Sequence, residues 1–225
     1  CSLPALIFKV TITPAEVGLL PYGADEPIER KAAEKKAFNY LTLSFILMGC
    51  MTVMHTSITG ISQHLSSYSV SLGLDAALGA TMMSLTMVGN IFSKLAFGVL
   101  SDKIGPVKSA YTMQVTNIIS LVMIMVGGNL HLVPLQLAGA LLFGSIYSVG
   151  AVGIPLLTKK FFGVENFSST FAIIGFLTSV GSASSLTLIG YLYDFTHTYV
   201  YMFIIAIIFH IVNMINITFI NKKQA

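Results

Sequence analysis

The chain has 225 residues, of which 55% are hydrophobic and 9% are charged, and its formal net charge is +3. Soluble domains carry about 25% charged residues, so this composition excludes an ordinary water-soluble protein and indicates that the lipid bilayer is its solvent. The two cysteines, Cys1 and Cys50, have the spacing of neither a disulfide framework nor a zinc site. We expect no metal, no cofactor and no nucleic-acid partner.

Residues 1–37 differ from the rest of the chain in composition. Pro4 to Phe8 resembles the end of a hydrophobic segment, whereas residues 11–36 are polar and of mixed charge. Such a stretch indicates a solvated connector and not a packed domain. Because the chain begins with Cys1 instead of Met, we expect a fragment whose N-terminal half is missing. Residues 1–37 would then hold the end of a preceding helix and a cytoplasmic central loop.

Long apolar runs dominate the remaining chain. A helix needs about 20 apolar residues to cross a bilayer core of about 30 Å. Runs of that length cover residues 39–61, 76–100, 107–126, 133–157, 168–192 and 199–220. Continuous apolarity is not the alternating pattern of a membrane β-barrel. The sequence therefore predicts an all-α membrane protein, with six transmembrane helices in residues 38–221 and a tail at 222–225.

Basic residues mark alternate connections between the predicted helices. They precede the first helix and follow the second, fourth and sixth, as Arg30, Lys31, Lys35, Lys36, Lys103, Lys108, Lys159, Lys160, Lys222 and Lys223. The opposite connections, at residues 66–75, 127–132 and 194–198, contain no Lys or Arg. By the positive-inside rule, both ends of the chain are predicted to be cytoplasmic in a multi-pass protein of the cell membrane.

The most specific motif follows the second run. Residues 98–108 read GVLSDKIGPVK. They resemble the loop signature of the major facilitator superfamily, G-x-L-a-D-[RK]-x-G-[RK]-[RK], in its copy between the eighth and ninth helices. The matching residues are Gly98, Asp102, Lys103 and Gly105, whereas Pro106 and Val107 stand where the family usually has basic residues.

Two further stretches are similar to the same family. Residues 14–23 resemble the central loop after the sixth helix, and Phe161 to Gly163 resembles the approach to the eleventh. The resemblance implies that the chain is the C-terminal half of the fold, helices 7 to 12. It also implies a secondary transporter that works by alternating access.

Lys94 is the one Lys, Arg, Asp or Glu that lies well inside a predicted span, which makes it a candidate functional residue. It precedes Asp102 by eight residues, a distance of about 12 Å along a helix, which approaches the middle of the bilayer. The alternative is a lysine that snorkels to the membrane surface.

The family resemblance gives Lys94 a specific role. In oxalate/formate-type antiporters and monocarboxylate transporters, a basic residue at the corresponding place in the eighth helix binds the substrate carboxylate. The antiporters have a second cation in the eleventh helix, which has no counterpart in residues 168–192. The resemblance therefore implies a monoanion more than a dicarboxylate.

Three other residues are candidates for substrate binding. Asn90 lies one turn before Lys94 and shares its face, where it orients the ammonium or forms an interhelical hydrogen bond. Tyr147, between Gly144 and Gly150, resembles the cavity-lining aromatic residues of the tenth helix, or it is packed in the bundle. His55 is either a proton-sensitive group or a packing residue, and His210 lies in the peripheral twelfth helix that the resemblance implies.

We predict secondary transport of a small organic anion, such as a monocarboxylate, coupled to a proton or a counter-anion. The alternatives are a carrier for another solute class, such as a sugar or a drug, and a transporter-like sensor. An intramembrane enzyme lacks support, because the sequence has no HExxH pair, paired intramembrane carboxylates or Cys/His cluster. A phosphate-binding G-x-x-x-x-G-K-[ST] loop, which an ATP-driven pump needs, is also missing from the sequence.

Overall fold

A computed structural model describes residues 38–224. The predictions for residues 1–37, including the connector and the central-loop resemblance, lie outside these described residues. The elements in chain order are α1 (Leu43–Ser57), α2 (Ile61–Ser71), α3 (Ala76–Ile104), α4 (Pro106–Asn129), α5 (Val133–Phe143), α6 (Ser145–Ser148), a π-helical segment (Val149–Gly153), α7 (Ile154–Thr196) and α8 (Val200–Gln224).

The first span consists of α1 and α2 together, from Leu43 to Ser71. The sequence assigned residues 66–75 to a connection, which is wrong for residues 66–71, because α2 continues to Ser71. Ile61, Leu65 and Tyr68 recur at helical spacing and are buried against the bundle. This buried stripe extends the helix beyond the end of the continuous apolar run.

The second span continues to Ile104, so Asp102 and Lys103 are helical and not part of a loop. Gly105 ends the helix with a φ of 84°, a value that costs glycine far less than other residues. The next helix, α4, begins immediately at Pro106. The motif therefore makes a tight reversal between two long helices.

One continuous stretch, Val133–Thr196, has 64 residues. At 1.5 Å per residue it would extend for about 96 Å, far more than the bilayer core. Gly163 interrupts it with φ 78° and ψ 162°, nearly the conformation of Gly105. We therefore treat residues 133–162 and 164–196 as the fourth and fifth spans, with α8 as the sixth.

Packing against the first span confirms that the chain reverses at Gly163. Gly49 faces Leu177, and further along both helices the Gly60 amide donates to Ser185 Oγ at 2.8 Å. Residue numbers rise together along this contact, so the first and fifth spans are parallel. Two spans separated by four chain reversals run in the same direction, so the parallel contact requires the reversal at Gly163. The predicted six-helix, all-α fold is therefore confirmed.

The fourth span is irregular near its middle. It is broken at Gly144, where α5 gives way to the short α6, and then passes through the π-helical segment Val149–Gly153. At this break, α3 crosses the fourth span. The two helices are so close that a Cβ at Gly144 would clash with the backbone of Gly89 and Asn90. A Cβ at Gly89 would likewise meet the backbone of Leu141. The two helices touch backbone to backbone here, as small residues allow in membranes.

The buried side chains form two hydrophobic clusters. One includes Tyr68, Leu121, Phe143 and Phe203, towards the end of the bundle that carries no Lys or Arg. The other includes Met48, Phe97, Leu157 and Ile217, towards the lysine-bearing end. Polar buried residues lie between these clusters along the first, third, fourth and sixth spans.

We predict that Gly89→Ala destabilises the protein by about 1–3 kcal/mol, because the added methyl group overpacks the crossing with the fourth span. Thermal unfolding in detergent measures the change. Gly98→Ala is the matched control in the same helix, since a Cβ there meets nothing within 4 Å. It should leave stability unchanged or raise it by up to about 1 kcal/mol through helix propensity. Equal stability of the two variants would contradict the crossing.

Candidate functional site

Three of the four candidate residues from the sequence, His55, Asn90 and Tyr147, lie at or against residues 144–147 of the fourth span. Asn90 lies at the Gly144 crossing, and Ser93 Oγ donates to the Gly144 carbonyl oxygen at 3.1 Å. His55 Nε2 hydrogen-bonds the Ile146 carbonyl oxygen at 2.9 Å. Tyr147 is the next residue, so the break in the fourth span brings together side chains from three spans.

Lys94 and Asn90 occupy one side of α3. They are four residues apart, which puts their side chains one turn from each other. Lys94 is half-buried, and the Oδ1 atom of Asn90 is buried with no hydrogen-bond partner among the described residues. Ser93 faces the fourth span instead, and Lys94 is about 100° further round the helix. The ammonium group therefore lies beside the crossing and not within it.

The second span is poorly enclosed by the rest of the described bundle. Only 17% of its most apolar 18-residue stretch is buried, compared with 67% for the first span. Met83, Met87, Ile91 and Leu95 are all exposed along it. Lys94 thus lies on a helix with an apolar face that the rest of the described chain does not cover.

Tyr147 is half-buried and belongs to the same region. Its hydroxyl group shares a hydrogen bond of 2.7 Å with Ser62 Oγ in α2. The tyrosine therefore ties the fourth span to the first span, one turn beyond the Gly144 break. Its hydroxyl retains capacity for a further hydrogen bond, because a phenolic oxygen both donates and accepts.

His55 has a different environment from Lys94. Its side chain is fully buried inside the bundle, and its ring lies 6.0 Å from the ring of His210, centroid to centroid, in an edge-to-face arrangement. His210 Nδ1 in turn hydrogen-bonds Gln114 Oε1. The four sequence-derived candidates therefore divide into an open group, formed by Asn90, Lys94 and Tyr147, and an enclosed residue, His55.

Sequence reasoning did not identify the polar residues that accompany His55. They are fully buried in the third and sixth spans, as Gln114, Asn117 and Asn213. The sequence could have identified them as buried, because carboxamides are costly in hydrocarbon and their presence in an apolar span indicates an internal partner. It could not show that they lie close together, because they belong to different spans.

The loop motif lies at the lysine-bearing end of α3. Asp102 and Lys103 are exposed in the last turn, and the Gly105 amide donates to the Ser101 carbonyl oxygen at 3.0 Å. A Cβ at Gly98 would meet nothing within 4 Å. The residues that the motif singles out are therefore presented on the surface of the six-helix unit.

Residues 38–224 contain no group of three or more His, Cys, Asp or Glu side chains that could hold a metal ion. Two histidines face each other, but their polar neighbours are carboxamides and hydroxyl groups. Within the spans of residues 38–224, away from the helix ends, the geometry offers hydrogen-bonding chemistry and the ammonium group of Lys94.

Comparison with known proteins gives one family. No curated protein matches the chain. The family model described as Major Facilitator Superfamily matches residues 45–224, which cover all six spans except the first two residues of α1. This match agrees with the motif at Gly98–Gly105 and with the described bundle of long apolar helices. The chain therefore belongs to the Major Facilitator Superfamily, whose members are multi-pass secondary transporters of small solutes.

Proposed function

We propose that this protein carries a small organic anion, such as a monocarboxylate, across the cell membrane by alternating access. The observation that carries the proposal is Lys94, the one charged residue well inside a span in the described part of the chain, on a poorly enclosed helix of the bundle. An ammonium group in this setting attracts an anion, and its cost in hydrocarbon is offset when a substrate or water neutralises it.

Neighbouring groups support recognition of a carboxylate. The buried Oδ1 atom of Asn90, one turn from Lys94, is an acceptor that can orient the ammonium group, and the Tyr147 hydroxyl lies one turn beyond the Gly144 crossing. A carboxylate accepts hydrogen bonds from an ammonium group, from a hydroxyl group and from the Nδ2 donor of a carboxamide. A carrier of neutral sugars would not require the charge on Lys94.

The uncovered face of α3 supports a partner within the transporter. Its exposed apolar side chains need an apolar neighbour or lipid, and the candidate residues lie beside this face. We propose that a second six-helix half, N-terminal in the same polypeptide, packs opposite it and completes the substrate cavity. Rocking of the two halves would then expose Lys94 to each side in turn, with a proton or counter-anion as the coupled ion.

We predict that Lys94→Met abolishes anion transport, because the substitution removes the charge but keeps much of the apolar stem. Lys94→Arg should retain part of the activity, since it keeps the charge and changes only the hydrogen-bonding geometry. Uptake of labelled monocarboxylates into proteoliposomes that contain the intact carrier measures the effect.

Lys160→Met is the matched control for charge, because Lys160 is exposed at the end of the fourth span. It should transport like the parent protein. Membrane insertion and unfolding temperature of Lys94→Met should also equal those of the parent. Undiminished anion uptake by Lys94→Met would remove the main support for the organic-anion assignment, and saturable uptake of a neutral sugar instead would favour the other solute class.

We also predict the orientation of the bundle. Single cysteines at Ser67 and His197 should react with an impermeant thiol reagent added outside the cell, because both residues lie at the end that carries no Lys or Arg. Cysteines at Lys103 and Lys159 should react only after the membrane is permeabilised. A background variant without Cys1 and Cys50 provides the control, and the opposite labelling pattern would contradict cytoplasmic termini.

A further inference from the structure

A layer of polar side chains crosses the interior of the bundle between its two hydrophobic clusters. The layer consists of His55, Gln114, Asn117, Ser145, His210 and Asn213, all of which are at most 2% exposed. These residues come from the first, third, fourth and sixth spans. The polar layer is separate from the proposed substrate site, since neither Lys94 nor Asn90 belongs to it.

Direct contacts join five members of the polar layer into two groups, and Asn213 has no hydrogen-bond partner among the described residues. His55 lies against His210, and His210 Nδ1 bonds Gln114 Oε1. Ser145 Oγ donates to Asn117 Oδ1 at 2.8 Å. Asn117 is one turn from Gln114 on α4 and Asn213 is one turn from His210 on α8, so each shares a helix face with its neighbour.

The hydrogen bonds fix the proton positions on both imidazoles in their neutral form. The carbonyl oxygen of Ile146 only accepts, so His55 Nε2 carries the proton and donates it. With the Gln114 carboxamide oriented as in the structure, its Oε1 also only accepts, so His210 donates from Nδ1. The second ring nitrogen of each histidine is then an acceptor, and among the described residues neither His55 Nδ1 nor His210 Nε2 has a partner.

Donors and acceptors without partners occur together in the polar layer. Within the described part of the chain, the unpartnered acceptors are His55 Nδ1, His210 Nε2 and Asn213 Oδ1, and the unpartnered donors are Gln114 Nε2, Asn117 Nδ2 and Asn213 Nδ2. Each such group costs about 1–3 kcal/mol if it stays unsatisfied, and the cost rises in a low dielectric. Any occupant that stabilises this layer must therefore both donate and accept.

We propose that the polar layer is a binding site for internal water molecules. Water donates to the imidazole nitrogens and to Asn213 Oδ1, and it accepts from the carboxamide NH₂ groups. A divalent metal ion would satisfy only the acceptors and would leave three NH₂ groups unpaired. The same argument excludes an anion, which would satisfy only the donors.

The position of this water site gives it a mechanical consequence. His55 bonds the Ile146 carbonyl oxygen just before the π-helical segment, so the polar layer ends at the irregular part of the fourth span. Water molecules can exchange hydrogen-bond partners when helices shift, whereas fixed side-chain pairs resist such shifts. Hydration therefore lets the first, third and sixth spans move against the fourth without leaving polar groups unpaired.

X-ray hydroxyl-radical footprinting with mass spectrometry tests the site, because radicals formed from bound water oxidise the side chains beside it. In the intact protein in detergent, we expect His55 and His210 to be oxidised at rates comparable to the exposed His131 and His197. Met82 is the internal control, because it is fully buried in a hydrophobic cluster and methionine is intrinsically more reactive. If both buried histidines are labelled as slowly as Met82, the polar layer is dry and the proposal is wrong.

Two further measurements distinguish bound water from a bound metal ion and from labelling by bulk solvent. Asn213→Leu replaces the carboxamide with an apolar group of similar size and should slow His210 labelling several-fold, whereas Asn129→Leu at the exposed end of α4 should not change it. Unchanged His210 labelling in a folded Asn213→Leu protein would contradict the site. Stoichiometric Zn²⁺ binding that blocks labelling of both histidines would replace the water site with a metal site. The parent protein's labelling decides between a wet and a dry layer even if Asn213→Leu does not fold.

Discussion

The close crossing of α3 with the fourth span is the contact on which the arrangement of this bundle depends. Gly89 and Gly144 leave no space for a Cβ, so the two backbones touch and the fourth span is broken at that point. The break turns the carbonyl oxygens of Gly144 and Ile146 towards side chains of other helices. The close contact between the two glycines thus leaves backbone carbonyl oxygens free to accept hydrogen bonds, and polar side chains from neighbouring spans donate to them. The candidate site exists because of this local loss of helical regularity.

The bilayer explains why the polar residues are gathered and not scattered. An isolated carboxamide or imidazole in hydrocarbon has no alternative partner, so each must find one inside the bundle. Between two hydrophobic clusters, Gln114, His210 and their neighbours share partners that no single span could provide. The apolar clusters on either side hold the helices together, while the hydrogen bonds of the polar layer determine which helix faces contact each other. The stability of the bundle and the specificity of its helix packing therefore come from different layers.

Much of the fold was predictable from the sequence because the bilayer imposes length and polarity on every span. Six apolar runs and alternating basic connections give the spans, and Gly105 and Gly163 stand where tight reversals need a positive φ. The continuation of α2 to Ser71 was missed, since a buried stripe of one residue in three or four is not a continuous apolar run. The break at Gly144 was missed because it results from contact with Gly89, which is distant in the chain. Single-sequence patterns report the local environment of a residue and not its partners.

The difference between Lys94 and His55 explains how one bundle can hold a charge and a neutral polar layer. A histidine can remain neutral when it is enclosed, so His55 can occupy the interior and donate to a backbone carbonyl group. A lysine at the same depth would need a counter-charge, and residues 38–224 contain no acidic side chain inside the spans apart from those near the helix ends. Lys94 is instead half-buried on a poorly enclosed helix, so the ammonium group is not sealed inside the described bundle. In the proposed anion carrier, the bound substrate would supply the counter-charge that residues 38–224 do not provide. A carboxylate built in beside Lys94 would compete with such a substrate for the ammonium group.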